Sequence, residues 1–284
     1  MLYWKADEGG LSYALEERKG HLNDAVVKNP QFEWDFGYKL GFGYFLPQDR
    51  WDISLKLTQF HTHTDALLHA KREEKLFPIW ITDQTPLSAD AIKMHWRLHL
   101  GLFDALIGKK VHPGAHVILY PQWGLRYAIA RQKYNLEYQG GMFLPEREES
   151  VRMKNKFSGI GPYGVLGIQY PFSSCFSLCA SGGLSAVYGE FYLHEDEDLT
   201  IGHVKLLGLL HTFRRMAFIA DGSVFLRWQK AWKKAKRRLN IQIGWDAVLL
   251  FKQNRLIRFF ETSPIDNPGN LGLKGWQWGI LFDF

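Results

Sequence analysis

The chain lacks a long apolar run. A membrane-spanning helix needs roughly 18 consecutive apolar residues, and the longest stretches, such as VKLLGLL from Val204, fall far short. Insertion into a bilayer as helices is therefore excluded. Cysteine is scarce too, with only Cys175 and Cys179. In a segment that reads as a strand their Cα atoms would lie roughly 13 Å apart, too far for a bond between them. No metal-ligand spacing accompanies them, so they are read as buried or lipid-facing thiols. The opening MLYWKADEGG shows no basic stretch followed by an apolar core and a small-residue cleavage site. A trimmed export signal, or a start further upstream, is the expectation.

Aromatic residues, by contrast, are abundant: 11 Trp, 12 Tyr and 20 Phe among 284 residues, alongside 23% charged residues. Amphipathic rings in such number suit a membrane–water boundary, where one edge of a ring is dry and the other wet. Without spanning helices, a closed β-structure is the remaining way to pair every backbone N–H and C=O inside a bilayer. The net charge of +6 and the cluster Lys230, Lys233, Lys234, Lys236, Arg237 and Arg238 could suggest nucleic acid. Its place between two strand patterns marks it instead as a solvated turn, so no nucleic-acid partner is expected.

The strand patterns have period two. In FEWDFGYKLGFGYFL, Phe32, Trp34, Phe36, Tyr38, Leu40, Phe42, Tyr44 and Leu46 share one face, and Glu33, Asp35, Gly37, Lys39, Gly41, Gly43 and Phe45 share the other. A helix would scatter both sets around its circumference. The alternation returns in Trp51, Ile53, Leu55 and Leu57 against Asp52, Ser54, Lys56 and Thr58. It returns again in Met94, Trp96, Leu98, Leu100 and Leu102 against Lys93, His95, Arg97, His99 and Gly101. Trp123, Leu125, Tyr127 and Ile129 oppose Gln122, Gly124 and Arg126, and Ile241, Ile243, Trp245 and Leu249 oppose Asn240, Gln242, Gly244 and Asp246. Alternation alone does not say which face is inside. Bulky rings on one face, with glycine and mixed charges on the other, point to lipid outside and a wet interior. Ten steps from Trp34 to Tyr44 rise roughly 23 Å at a tilt near 45°, close to the ~25 Å apolar band of an outer-membrane barrel.

Strands are expected near 2–18, 31–46, 51–64, 90–106, 114–136, 152–170, 174–193, 204–229, 236–253 and 271–284. Short connections at Pro47 to Arg50, Gly108 to Gly114, Pro171 to Ser173 and after Lys230 alternate with longer ones at 20–30, 65–89, 139–150, 194–201 and 254–270. The expected fold is all-β: one domain over 1–284, an antiparallel up-and-down transmembrane β-barrel of about ten strands (10–12), with short periplasmic turns and longer extracellular loops. The terminal LKGWQWGILFDF places Trp276, Trp278, Ile280, Phe282 and Phe284 on one face. It resembles the signal by which outer-membrane barrels engage their assembly machinery.

The blocks LYWKADEGGLSYA, FEWDFGYKLGFGYFLPQDRWDISLKLTQFHTHT, HWRLHLGLFDALIG, LYPQWGLRYA and FSGIGPYGVLGIQY, with the aromatic C-terminus, carry a further likeness. Over nearly the whole chain they resemble the MOMP-like pore-forming outer-membrane proteins of legionellae and environmental chlamydiae. The resemblance implies an outer-membrane barrel that passes small solutes and is made with a cleavable signal.

Enzymatic chemistry finds no support. The run HTHT at His61 to Thr64, with Asp65, offers no nameable third metal ligand, and no spacing selects a Ser/His pair. GFGYF and GIGPYG lie within strands and so are not phosphate loops. No catalytic residue, metal or cofactor is expected. Lys39, Lys56, Arg97, His99, Arg126 and Asp246 are the expected pore-lining residues, with Lys93, Lys252, Glu33, Asp35 and Asp52 on the same faces. Their excess of cations suggests a weak anion preference. Trp34, Tyr44, Trp51, Trp276, Trp278 and Phe284 are the expected aromatic girdle. The leading reading is a passive porin-like pore for small solutes or ions. Its rival is a structural or adhesive barrel with a filled lumen, since about eight strands are filled by side chains and sixteen or more hold a channel. A soluble ligand-binding barrel would instead fold without detergent. Outer-membrane lipid, the assembly machinery and small solutes are the expected partners, and an oligomer is compatible with the pattern. On this orientation Phe36→Arg is costly and a change at Lys39 is cheap.

Overall fold

The computed structural model describes all residues except 19–20, 47–50, 72–74, 82–87, 115–116, 142–147, 200–203, 233–236, 261–262, 267 and 284. Ten long strands form the wall: β1 (Leu2–Glu8), β4 (Trp34–Leu46), β5 (Trp51–His69), β7 (Ala91–Gly108), β8 (Ile118–Gln139), β9 (Glu148–Pro171), β10 (Phe176–Leu199), β11 (Val204–Trp232), β12 (Arg237–Asn254) and β15 (Gly269–Asp283). They close into an antiparallel barrel in the order β1-β15-β12-β11-β10-β9-β8-β7-β5-β4, with β4 pairing back onto β1. Short strands β2 (Ala14–Arg18), β3 (His21–Lys28) and β6 (Lys75–Pro78) form a separate three-stranded sheet, and β13 (Ile257–Phe260) pairs with β14 (Ser263–Asp266). The long first strand expected over 2–18 is thus two strands: β1 ends at Glu8 and Gly10 adopts a positive φ of 82° before β2 begins.

β4 and β5, β7 and β8, β9 and β10, and β11 and β12 meet at one end of the barrel, where β1 starts and β15 stops. This is the turn end. The small sheet and the β13–β14 hairpin belong to the longer connections at the opposite, loop end. Partners traced from Gly43 run through Ser54, Leu106, Gly124, Tyr163, Ser185, Ile219, Leu250 and Leu271 to Glu8. Because Leu2 pairs with Gly37, Glu8 stands level with position 31, 12 residues along from Gly43. A stagger of that size over ten strands tilts them by roughly 40° and gives an interior that side chains can reach across.

Near the turn end the wall has the chemistry expected from its sequence. Phe36, Leu40, Phe42, Trp123, Leu125, Leu184, Ile243 and Ile280 face outward and exposed, with Leu184 at 71%. Toward the loop end the same alternation continues but the chemistry inverts. Trp4, Phe60, Trp96, Leu98, Leu100, Tyr134, Phe157 and Phe191 project inward and are fully buried or nearly so. The side chains between them, such as His63, Arg97, Arg131, Lys133, Arg152 and Glu190, lie on the outer face. Asp104 fixes the direction, because it reaches inward to Arg126 while sharing a face of β7 with Trp96. The expectation that Met94, Trp96, Leu98, Leu100 and Leu102 face lipid is therefore overturned. Strands such as β9 and β10, of 24 residues each, are far longer than the 9–11 residues needed to span a bilayer. Beyond the lipid the wall faces water, so apolar residues move inside. Phe32, expected on the lipid face, packs edge-on against Trp96 at 4.9 Å.

The loop-end connections complete this inner core. Leu11, Tyr13, Leu76, Trp80 and Leu256 are buried with it. Tyr134 Oη donates to the Leu11 carbonyl at 2.7 Å, and Trp80 Nε1 donates to the Ser12 carbonyl at 2.6 Å. Trp80 meets Tyr134 edge-on at 5.8 Å and lies under the Arg258 guanidinium at 4.6 Å. Burial pulls the Arg258 pKa below its ordinary value, against the opposing influence of Tyr134 and Tyr138.

Candidate functional site in the lumen

Between the apolar core and the turn end the interior is polar, and its charges come from strands distant in sequence. Arg126 on β8 holds Asp104 on β7 through two hydrogen bonds, of 2.6 and 2.9 Å, and donates to Asp221 on β11 at 2.7 Å. Its guanidinium lies 3.5 Å from the Tyr163 ring centroid, and Tyr163 Oη donates to Asp221 at 2.8 Å. The planar fork of arginine serves both contacts, bidentate to one carboxylate and stacked on a ring. Gly183 permits the crossing, since a β-carbon there would sit 2.8 Å from Tyr163 and 2.9 Å from Asp221.

A second chord runs from β4 to β12, where Lys39 pairs with Asp246 and also donates to Gln277 at 3.5 Å. Lys39 lies 5.3 Å from the Trp4 ring, at the floor of the apolar core. Lys56 donates to Gln122 at 3.5 Å, and Gln122 donates to the Ser54 hydroxyl at 3.2 Å. Lys39 therefore does more than line a surface. Removing it strands a carboxylate whose side chain is 3% exposed, so the expectation that a change there is cheap is replaced by one of appreciable cost.

Of the six expected pore-lining residues, the structure brings Lys39, Lys56, Arg126 and Asp246 together inside. Arg97 and His99 are corrections: both lie on the outer wall, as does Lys93, because the apolar neighbours that alternate with them fill the interior. Arg97 contacts His95 at 3.1 Å, and the ring of His99 meets that of His61 from β5. Without those outward cations, Lys39, Lys56 and Arg126 stand against Asp104, Asp221 and Asp246. The cation excess behind the expected anion preference is gone. Asp104 and Asp221 were missed because their partner can be assigned only once register and closure are known.

The expected girdle residues that the structure describes lie on the outer wall. Trp34 and Trp276 gather with Tyr3 and Trp245 on the loop side, with Trp34 5.3 Å from Tyr3 and Trp276 5.5 Å from Trp245. Trp278 is the next outward residue on β15. Tyr44 and Trp51 lie at the turn side, where Trp51 meets Trp123 at 5.3 Å under Lys109. Phe284 lies outside the described residues, as do Lys233, Lys234 and Lys236 of the basic turn. Cys175 is exposed, Cys179 is buried, and both are free.

Comparison with known proteins adds the following. The family described as Legionella pneumophila major outer membrane protein precursor matches residues 1–284, the whole chain. Among solved structures, the outer membrane protease OmpT of Escherichia coli is similar at 12% identity and a TM-score of 0.38, over 98% of this chain and 95% of that one. OmpT of Vibrio cholerae is similar at 8% identity and a TM-score of 0.17, over 98% of this chain and 97% of that one. No curated protein matches the chain.

Proposed function

Since the chain belongs to the Legionella major outer membrane protein family, we propose that it acts in the outer membrane as a surface barrel with a filled lumen, the loop end facing outward. One observation carries this reading: the inner core around Trp4, Phe60, Trp96, Tyr134, Phe157 and Phe191, sealed by Leu11 and Trp80 from the loop-end connections. A continuous aqueous path needs open space along its length, and a close-packed layer leaves none; polar groups buried there are taken up by one another, with Gln132 donating to Glu8 at 2.7 Å and Asn155 to the Gln253 carbonyl at 2.8 Å. The lumen's buried carboxylates work as structure, because Asp104 and Asp221 hold Arg126 and Asp246 holds Lys39.

Single-channel recording in planar bilayers tests the proposal. The folded barrel is expected to give no conductance steps, and reproducible stepwise currents from it would overturn the reading. Those currents would favour the second reading, a passive pore for small solutes. Its supporting observation is the polar chamber on the turn side of the core, where Lys56 remains exposed.

A further inference from the structure

On the outer wall, just beyond the apolar band, two rows of side chains are all basic, with no carboxylate among them. His61, His99, Arg131 and Lys156 stand opposite one another across β5, β7, β8 and β9. Two residues nearer the loop end, His63, Arg97, Lys133 and Lys154 form the next row. Like charges directly opposed across an antiparallel pair are destabilising, and here Arg131 faces Lys156 while Lys133 faces Lys154. Among the described residues none of these four is ion-paired with a carboxylate, although Lys156 also lies 5.3 Å from the Tyr192 ring. Nearer the loop end the wall behaves differently. There Asp65 pairs with His95, Lys93 with Glu137 at 3.1 Å, and Arg152 with Asp198. Among the described residues of β5, β7, β8 and β9, the lysines and arginines of the outer wall beyond the apolar band that have no carboxylate partner thus lie in the two rows nearest the lipid.

Directly on the turn side of these rows the wall carries an open groove of about 400 Å³. Its outward lining is Tyr127, Ile160 and Tyr188, with Ser158 toward the cations and Glu190 held by Arg214 at 3.5 Å. Gly159 and Gly189 pair behind it, where a β-carbon on either would come within 2.7 Å of the other's Cα. A groove with an apolar floor and a cationic rim matches an amphiphile whose anionic head stands at the membrane surface.

We propose that the groove and the cationic rows bind a phosphorylated lipid of the outer leaflet, with an acyl chain along Tyr127, Ile160 and Tyr188 and its phosphate at Arg131, Lys133, Lys154 and Lys156. The strands are about 4.8 Å apart and the rows about 6.7 Å apart, so the four cations bracket one phosphate, whose negative charge offsets part of the positive charge that the bare wall leaves unbalanced. The site does not depend on whether the lumen is open.

The test uses the full chain folded in a neutral detergent, with lipid retention read by native mass spectrometry. Diphosphoryl lipid A is expected to be retained and its fully dephosphorylated form lost. Lys133→Gln/Lys154→Gln should weaken retention roughly 10- to 30-fold, at about 1 kcal/mol per surface cation. Lys133→Arg/Lys154→Arg and a turn-end control, Lys109→Gln/Lys110→Gln, should keep it. Heat-dependent gel mobility reports whether each variant is folded, and the arginine variant keeps the test open if the glutamine variant is not. Equal retention of the dephosphorylated lipid would overturn the proposal, as would undiminished binding by the folded glutamine variant or loss of binding by the folded arginine variant. Displacement of the lipid by millimolar inorganic phosphate would overturn it in favour of a free-anion site.

Discussion

The two halves of β8 obey one rule and reach opposite results. From Gln122 to Ile129 the inward residues are Gln122, Gly124, Arg126 and Ala128, and the outward ones are Trp123, Leu125, Tyr127 and Ile129. From Ala130 to Tyr138 the inward residues are Ala130, Gln132, Tyr134, Leu136 and Tyr138, and the outward ones are Arg131, Lys133, Asn135 and Glu137. The pleat never changes phase, and no bulge interrupts the pairing with β7 or β9. What changes is the medium against the outer surface. Where lipid lies outside, large apolar groups face it and polar groups turn to the lumen; where water lies outside, apolar groups gain by leaving it.

The contrast can be broken or sharpened by substitution, with stability read from urea unfolding in lipid vesicles. Trp96→Ala in the inner core is expected to have the largest effect, a loss of about 3–5 kcal/mol; no loss would mean that the core is not packed. Phe36→Arg on the lipid face should cost roughly 2–4 kcal/mol, and tolerance there would reverse inside and outside on β4. Lys39→Met should cost about 1–3 kcal/mol by leaving Asp246 unpaired, and Lys39→Met/Asp246→Asn should recover much of it. Additive effects of the two substitutions would show that the pair is not coupled. Arg97→Ala should stay within roughly 0.5 kcal/mol, although it neighbours Trp96 in sequence. A cost comparable with that of Trp96→Ala would place Arg97 inside.

How far the sequence could be read follows from the same contrast. β4 was legible in face and length, because all its outward residues from Trp34 to Tyr44 meet lipid and the ten steps match the band. β7 was legible as a strand but not in orientation. Met94, Trp96, Leu98 and Leu100 alternate with Lys93, His95, Arg97 and His99 much as a lipid-facing set alternates with a luminal one. Two signals were available: the strand exceeds what a bilayer needs, and its polar face from Lys93 to His99 carries only cations and histidines. Arg126 was legible as luminal from Trp123 and Leu125. Its partner Asp221 sits three strands away around the ring, and only closure and register bring them together.

β1 joins β15 on one side and β4 on the other, and the Met1 amino group donates to the Trp278 carbonyl at 2.6 Å. The first strand of the wall is thus sewn to its last. Until β15 arrives, β1 and β12 each present an unpaired edge, the arrangement most prone to pairing with a foreign strand. Joining residues 2–8 to 271–277 also closes the largest loop the chain offers, which makes assembly slow and indivisible. A nascent barrel of this kind needs shelter until its final strand is made, however stable each hairpin is by itself.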